Sequence, residues 1–140
     1  MRSIKAIVIG CIFIVVVILL LQLAYIFIAV GYNAMAADYP FLNDITGYIR
    51  YLVGLPIFVV TMFIGGYITA SYTEMHSSIK VLVHCFAVGF ITAGGMVFST
   101  MENYNLSLTG IVVTILALVA TSAGGFYWLR DEMSQSDTFN

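Results

Sequence analysis

A bundle of four transmembrane helices, all-α and with both chain termini cytoplasmic, is the fold class this sequence predicts, and three observations predict it. Four apolar stretches run from Lys5 to Gly31, Tyr51 to Ala70, Val81 to Thr100 and Gly110 to Leu129, and a helix crosses a hydrocarbon core about 30 Å thick with roughly 20 such residues. No Asp, Glu, Lys or Arg lies well inside any of the four. Of the 140 residues, 61% are hydrophobic and only 9% charged, against about 25% charged in soluble domains, so a water-soluble core is not an alternative. Residues 1–130 form one membrane domain and residues 131–140 a polar cytoplasmic tail.

The first span follows Arg2 and Lys5, an arrangement that imitates a secretory signal. Its apolar run, Ala6 to Val30, is too long for a signal-peptide core and lacks a convincing cleavage site, so an uncleaved helix is expected. Val8-Ile9-Gly10-Cys11 looks like a lipidation box, but the apolar run continues past it without interruption. From Ile12 to Leu23 the span is nearly all Ile, Val and Leu, broken by Gln22, and has no small-residue stripe. Cys11, Val15, Ile18, Gln22, Tyr25 and Ala29 share one helical face, which is expected to turn toward protein. Gln22 then hydrogen-bonds across a helix contact or lines a path.

The connection from Tyr32 to Arg50 is the longest. Pro40 with Asn43 or Asp44 supplies a helix start, and Phe41, Leu42, Ile45, Tyr48, Ile49 and Leu52 recur at helical spacing. That helix either lies in the interface or runs straight into the second span, where Pro56 is placed to bend it. The next three spans carry small residues at four-residue spacing, the pattern that lets helices approach closely in lipid. Thr61, Gly65 and Thr69 line one face of the second, Cys85, Gly89 and Ala93 one face of the third, and Ala117, Thr121 and Gly125 one face of the fourth. Three Gly-Gly pairs, Gly65-Gly66, Gly94-Gly95 and Gly124-Gly125, are read first as packing positions and second as hinges. The placement of Gly65-Gly66-Tyr67 and Gly124-Gly125-Phe126 hints at duplicated hairpins, although the flanking residues do not align as a repeat.

Lys and Arg near the span ends set the orientation. Arg2, Lys5, Lys80 and Arg130 fall on one side and only Arg50 on the other, which puts the termini and the Ser71 to Lys80 loop in the cytoplasm by the positive-inside rule. Tyrosines 32, 39, 48, 51 and 104 then form an outer aromatic belt, and Tyr67, Tyr72, Tyr127 and Trp128 an inner one. Asn105-Leu106-Ser107 matches a glycosylation sequon, but in a very short loop.

Little of this points to chemistry. A net charge of −2 with singly placed basic residues excludes a nucleic-acid partner. Glu74, His76, His84, Cys85 and Cys11 are of types that bind metals or relay protons. However, His76 sits in a loop, and His84 and Cys85 point about 100° apart on a helix, so no metal is expected, and His84 is expected to hydrogen-bond a neighbouring helix. Without a Ser/His/Asp set, phosphate loop or paired carboxylate, neither enzyme activity nor a cofactor is expected.

The segment Phe63-Ile64-Gly65-Gly66-Tyr67-Ile68-Thr69-Ala70, with a short polar loop and then His84 to Gly89, resembles small uncharacterised four-span bacterial inner-membrane proteins. That resemblance implies a bacterial plasma membrane and a four-helix bundle, and carries no activity. The chain lacks the embedded Glu of small multidrug exporters and the CxxC pairs of four-span thiol oxidases. The leading expectation is a membrane interaction protein in contact with lipid and with another membrane protein or itself: an accessory subunit, or an immunity-type protein against a membrane-acting toxin. The competing one is a small homo-oligomeric channel or transporter lined by Gln22, Thr61, Thr92, Thr121 and the Gly-Gly bends.

Overall fold

The computed structural model describes residues 2–38, 41–73, 78–100 and 108–138. They form four helices: α1 (Arg2–Asp38), α2 (Phe41–Tyr72), α3 (Ser78–Thr100) and α4 (Leu108–Thr138). Each contains a stretch long and apolar enough to cross a membrane, namely Ile4–Tyr32, Val53–Tyr72, Ser78–Phe98 and Leu108–Ser134. α1 is rich in the β-branched residues that favour strands in water. Such a sequence would be helical in a bilayer, where only a helix or a closed barrel satisfies every backbone N–H and C=O internally.

Two helices extend beyond the apolar spans. The amphipathic stretch before the second span runs straight into it, so that α2 is one helix of 32 residues with Pro56 inside. The polar residues after Arg130 continue α4 as far as Thr138, where a separate tail is expected. No Gly or Pro follows Arg130 to stop the helix, and extending a formed helix adds one hydrogen bond per residue without a new nucleation cost. Pro40, Glu74, His76 and the sequon at Asn105 lie outside the described residues.

Neighbouring helices run antiparallel, as their close contacts show. Residues 10 and 14 of α1 meet 69 and 65 of α2, residues 66 and 62 of α2 meet 85 and 92 of α3, and residues 85 and 89 of α3 meet 125 and 121 of α4. Among the described residues every helix pair touches except α1 and α4. α1 and α4 therefore pack on opposite sides of the α2/α3 pair. One buried cluster joins Ile14, Met62, Val88, Ala93, Ala117 and Ala120, and a second, nearer the end that carries the termini, joins Ala70, Val81, Cys85 and Leu129.

Candidate functional site

The strongest structural feature is a layer of glycine and threonine that clamps all four helices at one level. Gly66 faces the Thr121 carbonyl, and Gly124 faces the Phe63 carbonyl and the Tyr67 amide, so α2 and α4 touch backbone to backbone. A methyl group on either glycine would overlap the opposing main chain. Gly89 of α3 receives the Thr121 side chain, and Gly125 of α4 receives Cys85. The Cys85 thiol also donates a weak hydrogen bond to the Gly66 carbonyl at 3.3 Å, tying α3 to α2. α1 joins the same layer, with Gly10 against the Thr69 hydroxyl and Ile14 inserted over Gly65.

Threonine suits this layer because its hydroxyl is satisfied before the helices meet. Thr61 donates to the Ile57 carbonyl at 2.8 Å, Thr69 to Gly65 at 2.8 Å, Thr73 to Thr69 at 2.6 Å, Thr92 to Val88 at 2.7 Å and Thr121 to Ala117 at 2.9 Å. Back-bonding to the preceding turn hides the polar atom and leaves the methyl for packing. Among the described residues no buried side-chain polar atom lacks a partner. The interior at this level therefore presents a satisfied surface with no free donor for a solute.

The small-residue positions read from the sequence divide into two groups. Thr61, Gly65, Gly66, Thr69, Cys85, Gly89, Ala93, Ala117, Thr121, Gly124 and Gly125 are all buried. Gly94 and Gly95 are exposed, with open space where a side chain would stand. The reason is their face, since Thr92, Ala93, Met96 and Val97 on either side of them are buried or partly buried, and the two glycines point away from the bundle between them. Replacing both by alanine is expected to leave stability unchanged or raise it by up to about 1 kcal/mol per site, the usual helix-propensity gain. Thermal unfolding of the purified protein, followed by labelling of the enclosed Cys85 thiol, checks this.

α1 turns a different face inward from the one expected. Ala6, Gly10 and Ile14 are buried, with Ile7, Cys11, Phe13 and Ile18 partly buried beside them, while Val15, Gln22 and Tyr25 are exposed. The visible signal was Ala6 and Gly10 at four-residue spacing. Close approach selects that face, because an Ile/Val/Leu surface gains nothing by choosing helix over acyl chain. Gln22 makes no hydrogen bond among the described residues and does not converge with Thr61, Thr92 or Thr121. His84 is only partly buried, and its ring Nδ1 pairs with the Lys80 carbonyl of its own helix, a turn away, instead of a neighbouring helix. Among the described residues no three His, Cys, Asp or Glu side chains gather as a metal site would require.

Away from the clamp α1 and α2 open out, while α3 and α4 still meet at Val97 and Gly110. On α1 every residue from Gln22 to Ile28 is exposed, and on α2 every residue from Val53 to Ile57. Either run exceeds one full turn, so among the described residues neither helix has a buried side there. Phe98 of α3 and Leu108, Ile111, Val112 and Ile115 of α4 are exposed at the same end. The end that carries the termini also carries Arg2, Lys5, Lys80 and Arg130, together with Tyr67 and Tyr127, whose rings meet at 6.4 Å. Compared with known families, with curated proteins and with solved structures, the chain gives no significant match.

Proposed function

We propose that this chain is an integral interaction protein of a bacterial inner membrane, either an accessory subunit of a membrane complex or an immunity-type protein against a membrane-acting toxin. The observation that carries this reading is the division of the bundle into a clamped end and an open one. Acyl chains can cover the exposed runs of α1 and α2, and these runs are also the surface that a second membrane protein can reach. A membrane partner meets surfaces on several helices at once.

The channel alternative draws less support. Its proposed lining residues do not converge: Gln22 lies outside the bundle, Gly94-Gly95 face open space, and Thr121 fills the gap between Gly66 and Gly89. Native mass spectrometry of the assembly released gently from its own membrane is the deciding experiment. A second polypeptide in fixed ratio is expected. The chain without any other protein, together with solute flux in liposomes, would overturn this reading and favour the channel.

The termini are proposed to lie in the cytoplasm, from the four basic residues at their end against Arg50 at the other. A green fluorescent reporter fused after Asn140 is expected to fluoresce, and alkaline phosphatase fused there to be inactive. The reverse pair of results would invert the orientation.

A further inference from the structure

We propose that two copies of this chain associate in parallel through α1, with the Gln22 amides of the two copies hydrogen-bonded to each other. Ile12, Val15, Leu19, Gln22, Ile26 and Ala29 alternate three and four residues apart, the 3.5-residue repeat of a helix-pairing seam. The first five are exposed, Ile12 at 57%, Leu19 at 58% and Ile26 at 57%. At about 100° per residue this seam lies roughly 150° around the helix from the Ala6, Gly10 and Ile14 face that packs on α2 and α3. α1 can therefore hold its own bundle and a second helix together.

Gln22 decides what covers the seam. It stands 18 residues beyond Ile4 and 10 before Tyr32 in the apolar run, about 27 Å and 15 Å along the axis, well away from either end. The apolar residues beside it are as content with lipid as with protein. An unpaired primary amide in hydrocarbon is not, at a cost of several kcal/mol.

The amide is donor and acceptor together, hence its own complement. Two copies inserted with the same orientation and related by a twofold axis along the membrane normal bring the two amides to the same depth automatically, as an isologous interface requires. A different partner would have to supply an amide or its equivalent at that level. One polar position in an otherwise apolar seam also fixes register and strand number. The dimer goes beyond the reading above, because it engages only one face of α1 and leaves the open end of α2 for another protein.

The test uses the full chain in its own membrane. Under oxidation, Gln22→Cys is expected to give a disulfide-linked species of twice the chain mass. Leu20→Cys, equally exposed but about 160° around the helix, should give at least ten-fold less. The unsubstituted chain, with Cys11 and Cys85 only, is the blank. Equal yields from the two variants, or no linked species, would overturn the proposal.

Energy transfer between labelled copies in phosphatidylcholine vesicles then tests the hydrogen bond. Gln22→Leu should weaken association about five-fold, the effect of one interhelical hydrogen bond in lipid, and Gln22→Asn should retain it. Undiminished association of the leucine variant would remove Gln22 from the interface. A second polypeptide in the native assembly without a Gln22→Cys crosslink would sink the dimer and keep the preceding reading. A crosslinked dimer with no second polypeptide would do the opposite.

Discussion

Replacing Gly66 by leucine is expected to abolish the folded bundle. The Thr121 carbonyl occupies the place a Gly66 side chain would take, and 58 residues further along the sequence Gly124 stands in the same relation to the Phe63 carbonyl. Main-chain atoms of a packed helix cannot swing aside as a side chain can, so even one methyl must push α2 and α4 apart. Overpacking of this kind costs about 1–3 kcal/mol per inserted group and occasionally more, and leucine adds four carbons where there is room for none. Separating these helices also opens the seat of Thr121 on Gly89 and of Cys85 on Gly125, because all of them lie in one layer.

Cys85 supplies the readout. Its thiol is fully buried against the Gly66 carbonyl and Gly125. In Gly66→Leu it should react with a maleimide dye in mild detergent as fast as in the denatured chain. Gly95→Leu introduces the same side chain into open space and should leave the slow reaction of the unaltered protein unchanged. Gly66→Ala and Gly124→Ala should each destabilise by about 1–3 kcal/mol. Together they should cost less than their sum, because the displacement that admits one methyl makes space for the other.

The contrast between Gly66 and Gly95 shows where sequence reasoning reaches and where it stops. The number of helices and of apolar spans is legible because it depends on a count of apolar residues against a fixed thickness. Small residues four apart on α2, α3 and α4 are legible because close approach needs small side chains whichever helix arrives. What spacing cannot convey is which face of each helix turns inward. Gly65-Gly66 and Gly94-Gly95 are the same dipeptide, yet one pair faces neighbouring helices and the other points away from the bundle, between the buried Ala93 and the partly buried Met96.

The orientation of α1 was hidden for a related reason. Its long aliphatic run invites a reading by periodicity, while in lipid the notch made by Ala6 and Gly10 decides the face. That adjacent glycines such as Gly65 and Gly66 can serve two partners is legible in the sequence, whereas their assignment to α1 and α4 is not. Two consecutive residues point about 100° apart, and which neighbour each meets depends on the whole arrangement.

That last point gives a sharp prediction for α1. Ile14 rests over Gly65, and its Cγ1 and Cδ1 occupy the place a Gly65 side chain would take. Ile14→Ala should destabilise the attachment of α1 by about 2–5 kcal/mol, the range for removing a fully buried aliphatic side chain. Gly65→Ala alone should cost about 1–3 kcal/mol through the overlap. In the double variant the new methyl enters the space the isoleucine has left, so the two should compensate, with a favourable coupling of about 1–3 kcal/mol.

Ile14→Ala combined with Gly66→Ala should instead be additive, since Gly66 faces α4 and α1 does not touch α4. The two cysteines separate the interfaces in one experiment. Cys11 packs partly against the core from α1, and Cys85 lies among α2, α3 and α4. Ile14→Ala should therefore speed the labelling of Cys11 while Cys85 stays protected. If both thiols became reactive together, α1 would be an integral part of one cooperative bundle and not a helix docked on a three-helix clamp.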